Sequence, residues 1–153
     1  MSIRNTMMYF CGCGVFLWLS TCFEVTNPEY FNEDGDTLVL KCGETAIGKS
    51  SGLHLTFSEV LEEGRCPDNI ECYWEGVARI RINIKQKWSE SSNVVLPIYG
   101  YVSIDNCERQ VTVDTLGYLL KLMQLEPYPE YPKEPDYSAY RATIYIEQIK
   151  DSI

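Results

Sequence analysis

A cysteine-flanked loop that runs without a break into a strand constrains this chain more than any other stretch. Residues 64–76 read GRCPDNIECYWEG and continue as VARIRINIK. From Cys72 onward one parity carries Cys72, Trp74, Gly76, Ala78, Ile80, Ile82 and Ile84. The other carries Tyr73, Glu75, Val77, Arg79, Arg81, Asn83 and Lys85. Successive side chains of a strand point to opposite faces, so this alternation predicts a strand with one dry and one wet face. A Cys66–Cys72 bridge would lie on the dry face with Trp74, where the indole is expected to pack on the sulfurs and staple the loop to the core. Arg79, Arg81 and Lys85 form the one basic row, and cross-strand pairing with acidic neighbours is expected of them.

Arg65, Cys66 and Pro67, then four residues to Cys72, then Trp74 and Gly76, resemble the signature of a family of short bacterial secreted proteins and lipoproteins of unknown function. In such proteins the signature follows a strand like residues 53–61. A Leu-rich strand comes later and ends in a Pro-Tyr-Pro turn, matched here by Pro127, Tyr128 and Pro129. The likeness covers residues 38–149. This chain departs from it in having Glu63-Gly64 before Arg65, where an acidic-Ser pair is expected, and in carrying Cys42 and Cys107 besides. The resemblance implies fold and location only, since the family has no assigned activity.

Export is also readable in the N-terminus. Arg4 precedes an apolar run of 13 residues, 7–19, shorter than the ~20 a membrane-spanning helix needs. Residues 1–21 therefore read as a signal peptide. Leu19-Ser20-Thr21-Cys22 resembles a lipobox in which Cys22 is acylated, although Thr21 stands where Gly, Ala or Ser is usual. A lipid-anchored tether over residues 22–36 and a domain over residues 37–153 follow. The expected location is periplasmic or outer-membrane, with plain secretion as the alternative. Of seven cysteines, Cys11 and Cys13 leave with the signal and Cys22 takes lipid. Cys42, Cys66, Cys72 and Cys107 allow three connectivities. An oxidising exterior favours disulfides, and proximity favours Cys66–Cys72, which leaves Cys42–Cys107. Loop entropy makes the small ring worth about 2 kcal/mol and the long one about 4 kcal/mol.

At 153 residues one domain is expected, and the formal charge is −9. From Cys22 onward 12 Lys+Arg face 22 Asp+Glu, a balance of −10. Such a surface repels phosphates, which argues against nucleic acid and anionic membrane surfaces as partners.

Along the chain, Leu38, Leu40 and Cys42 alternate as a first strand. Leu53, Leu55 and Phe57 hold one face until Val60 falls out of phase, which predicts a bulge near Ser58-Glu59. Val94, Leu96 and Ile98 form a strand placed at a sheet edge by Pro97, and Val111 and Val113 mark another. Residues 116–125 satisfy helical and strand spacing alike; Gly117 and the Pro-Tyr-Pro turn favour a strand. Tyr140, Ala142, Ile144 and Ile146 alternate in the last. About seven short strands, with a Trp beside a disulfide, predict an all-β, antiparallel β-sandwich of immunoglobulin-like type. A small β-barrel is the alternative.

Chemistry is sparse. Residues 43–50, GETAIGKS, match G-x-x-x-x-G-K-[ST], but β-alternation follows where a phosphate site needs a helix, so a coincidental turn and no nucleotide are expected. Asn32, Asp34 and Asp36 have calcium-like spacing without the Gly and Glu an EF-hand loop requires, and read as a solvated turn. His54, the only histidine, points outward, and zinc lacks a usual ligand set. No metal or cofactor is expected. Residues 127–140 carry prolines at polyproline II spacing, a ligand-like segment or a stiff loop with half-buried tyrosines. The stapled loop, with Arg65, Asp68, Asn69 and Glu71, is the candidate contact surface. These features point to a non-enzymatic binding or structural module of the cell envelope, with an envelope protein as a possible partner. The alternatives are a secreted inhibitor that presents residues 65–72 to a hydrolase and a hydrolase built on Asp68, Glu71 and Glu75.

Overall fold

The computed structural model describes residues 28–100 and 110–149; the expected signal peptide, Cys22 and Cys107 lie outside these residues. The described residues form nine strands in two sheets packed face to face, a β-sandwich and not a closed barrel. The first sheet orders β1 (Glu29–Phe31), β3 (Thr45–Gly48), β4 (His54–Glu63), β5 (Val77–Lys85) and β6 (Ser92–Tyr99). The second orders β2 (Asp34–Lys41), β9 (Arg141–Gln148), β8 (Tyr118–Glu126) and β7 (Thr112–Thr115). All pairings are antiparallel except β1 with β3.

The alternating residues make the core. Leu40, Leu55, Phe57, Ile80, Ile82, Leu96, Leu120 and Ile144 are fully buried between the sheets. The outer face of β5 is satisfied by its neighbour: Arg79 pairs with Glu62 and Arg81 with Glu59. The β4 register shifts between Phe57 and Glu59, where the bulge was expected, and again between Val60 and Glu62. β6 lies at a sheet edge, as Pro97 requires. The ambiguous Leu-rich segment is strand β8, joined to β7 through Leu116-Gly117, both at positive φ. That backbone suits a two-residue hairpin turn.

Two expectations are corrected. Consecutive strands β3 to β6 run up and down through one sheet and β7 to β9 through the other, whereas immunoglobulin domains distribute strands as ABED and CFG. Alternation fixes which face a side chain takes, not which strand lies alongside, so the connectivity was not readable. The folded domain also begins before Thr37. Strand β1 lies within the expected tether, and Phe31 is 2% exposed. Three residues are too few to show a period.

Between β1 and β2 the chain crosses from one sheet to the other, and Glu33 at this crossing is 3% exposed. Its carboxylate accepts from the Ser50 N–H at 3.2 Å, the Ser51 N–H at 3.1 Å and the Ser51 hydroxyl at 2.6 Å. Gly48 leaves room for it, since a Cβ there would lie 1.9 Å from Glu33 Oε1. Residues 43–50 therefore form a strand and a turn whose amides are aimed at the protein's own carboxylate. Asp36 similarly accepts from the backbone N–H groups of Asn32 and Thr37, which hold its carboxyl below the usual range.

Burial pushes the Glu33 carboxyl up, but the bonds from Ser51 and Ser50 outweigh it and hold it below its ordinary 4.5. A depressed carboxyl adds stability above its unfolded value and loses it as the pH falls through the lower folded one. Glu33→Gln is accordingly expected to cost about 1–3 kcal/mol near neutral pH and to flatten the acid limb of stability. Thermal denaturation from about pH 7 to about pH 3 checks this; equal acid limbs in the two proteins would contradict it.

Candidate functional site: the stapled loop between β4 and β5

The β4–β5 ladder continues past Glu63. The Gly64 N–H donates to Val77 O and the Cys66 N–H to Glu75 O, each at 3.0 Å. Cys66 and Cys72 are bridged with their Cα atoms 5.9 Å apart, which closes a ring over Pro67, Asp68, Asn69, Ile70 and Glu71. Gly76 then turns the chain at φ +73, and a Cβ there would lie 1.9 Å from Gly64 O. Left-handed backbone and lack of room together admit only glycine.

That turn breaks the expected parity. Strand geometry begins at Val77 rather than Cys72, and Trp74 is 71% exposed and Tyr73 98% exposed. The indole does not bury the bridge. The two rings instead meet edge to face, with centroids 6.4 Å apart at 77°, one of the favoured aromatic geometries.

Arg65 is the second correction. Expected as a contact residue, it is 4% exposed. Its Nε donates to Glu63 Oε1 at 2.8 Å, its Nη2 reaches Glu63 Oε2, and its Nη1 donates to Leu125 O at 2.9 Å. The Tyr128 ring covers the guanidinium with its centroid 4.5 Å away. The Tyr140 hydroxyl bonds the same carboxylate; burial, then the Glu63 charge, push its phenol well above the ordinary range. Both side chains of the ion pair are 2% exposed. A charge pair tolerates such burial only when fixed partners replace water, as they do here.

The loop is also clasped from the side. Asn69 Oδ1 accepts from the Tyr131 N–H at 2.9 Å and Asn69 Nδ2 donates to Tyr131 O at 2.6 Å, while the Asp68 N–H donates to Pro129 O at 3.2 Å. The proline-rich segment after β8 is thus a strap laid along the loop, with Tyr140 buried, Tyr128 half-buried and Tyr131 and Tyr137 exposed. Asn69, expected in the contact surface, is exposed but its amide is taken up by the strap.

Asp68 and Glu71 are exposed at the tip, as expected. The surface hollows beside β8 and β9 are lined by Leu119, Lys121, Met123 and Tyr145, or by Asp34, Leu119 and Gln148, and include none of Asp68, Glu71 or Glu75. His54 is exposed. Cys42 is half-buried against the core and has no sulfur partner among the described residues; its expected pairing with Cys107 falls outside them. No group of three metal-ligating side chains occurs among the described residues. Comparison of the chain with protein-family models, curated proteins and solved structures gave no match.

Removing one partner of a buried ion pair strands the other charge. Arg65→Met should cost about 3–5 kcal/mol, and Glu63→Leu with Arg65→Met should recover much of that loss. Denaturant unfolding of the two single variants and the double checks it; additive losses would show that the pair does not act as a unit.

Proposed function

We propose that this chain is an exported, lipid-anchored binding module of the cell envelope, and that its contact surface is the tip of the β4–β5 loop. One observation carries the reading: Tyr73 and Trp74 stand exposed on a loop fixed by a disulfide, a buried ion pair and the Asn69 clasp. Large aromatics lose little rotamer freedom on docking, and a preorganised backbone loses less still, so such residues dominate contact surfaces. The lipobox-like Cys22 and the resemblance of the Cys-Pro…Cys-x-Trp stretch to envelope lipoproteins support the location. The acidic surface agrees with a protein partner rather than nucleic acid.

The same tip is open enough for the second reading, a secreted inhibitor that docks in a hydrolase cleft. In that reading Arg65 is a support and not a presented side chain, because its guanidinium is enclosed. A carboxylate hydrolase is the weakest reading, as Asp68 and Glu71 lie on an exposed loop.

Protein isolated from membranes should carry diacylglycerol on an N-terminal Cys22, read by intact and peptide mass. A Tyr73→Ala/Trp74→Ala double variant should reach the envelope in normal amount and lose the partners that copurify with the wild type. An unprocessed N-terminus would overturn the anchoring, and an unchanged partner set would overturn the contact surface.

A further inference from the structure

Resting on the reading of the loop tip as a contact surface, we infer that its occupant is a cationic segment of a partner protein, with Lys or Arg side chains seated on Tyr73 and Trp74. Two aromatic rings of this chain already carry a cation. At Tyr128 the ring covers the chain's own Arg65 at 4.5 Å, and at Trp88 the chain's own Lys87 lies 5.5 Å from the ring centroid. Trp88 is as open to solvent as the tip, at 91% exposure, and still has a cation from its neighbour. Tyr73 and Trp74 have none among the described residues: Arg79, the basic residue nearest in sequence, pairs with Glu62, and Arg65 pairs with Glu63.

The exposed charges of the stapled loop are of the opposite kind. Asp68 and Glu71 are exposed in the ring that ends one residue before Tyr73, and exposed Glu130 lies on the strap between Pro129 and Tyr131, which bond that ring. An ammonium or guanidinium over an indole gains from the ring's quadrupole, and gains again from carboxylates beside it. The same charges exclude other occupants. A second copy of this chain brings −9 to a site already acidic, and an anionic lipid surface or nucleic acid is repelled. A basic protein segment meets both the aromatic and the acidic halves of the tip.

The full-length chain carrying a photoreactive phenylalanine analogue in place of Tyr73 tests this in cells. Tyr73 is exposed enough for the exchange to leave the fold intact, and retention of the Cys66–Cys72 bridge by peptide mapping confirms it. The expected result is a protein adduct whose mapped segment contains Lys or Arg. Replacing those basic residues in the partner, or Trp74→Leu in this chain, should lower the adduct yield about tenfold. Asp68→Asn with Glu71→Gln should lower it in the same direction, and Trp88→Leu should not. An adduct with a neutral or acidic protein segment, a lipid, a glycan or a second copy would overturn the cationic occupant and leave the contact surface standing. No adduct at Tyr73 would overturn both.

Discussion

The Glu63–Arg65 ion pair is the interaction on which this end of the sandwich depends. It lies where β4 leaves its sheet, and its donors reach the Glu63 carboxylate and the Leu125 and Pro127 carbonyls. Leu125 lies at the end of strand β8 of the opposite sheet, and Pro127 directly follows it. One guanidinium therefore ties the two sheets together at the point where the stapled loop departs. Tyr128 closes over its face and Tyr140 over its partner, so the charges lie in a site where electrostatic interactions are strong and an unpaired group is costly.

The exposed tip follows from that arrangement. With Arg65 buried beneath the loop, the chain must turn outward, and the bridge, the Gly76 turn and the Asn69 clasp fix where it goes. Each restraint acts on a different part: the disulfide on the ring, the clasp on its flank, the glycine on its return to β5. The product is two aromatic side chains held in solvent on a loop restrained at three points. Trp88 and Tyr131 are exposed as well, so what sets this pair apart is the restrained loop that carries it.

Much of the sandwich was legible in the sequence because its strands alternate cleanly. Ile80, Ile82 and Ile84 face inward, Arg79 and Arg81 face outward onto acids, and Val60 reveals the bulge before it. Pro97 disclosed an edge and Gly117 a hairpin. The stapled loop was legible in part: the Cys66–Cys72 pairing and the exposure of Asp68 and Glu71 could be read from spacing. The positions of Arg65 and Trp74 could not. An arginine next to a cysteine reads as surface until its acceptors, 60 residues away at Leu125, are known. Trp74 fits the dry parity, and only the left-handed turn at Gly76 removes it from that face. Gly76, four residues after the second cysteine of the loop, was the available signal that the backbones come too close here for a side chain. Glu33 was hidden for a similar reason, since the amides it accepts from lie 17 and 18 residues on.

The central claim is that the tip is held in one conformation before anything binds it. Backbone ¹⁵N relaxation of the isolated oxidised protein across residues 68–74 tests this most directly. A preorganised tip requires order parameters near ~0.85, level with the flanking strands β4 and β5. Values below ~0.6 for Tyr73 and Trp74, with the strands unchanged, would describe a flexible loop and contradict the claim.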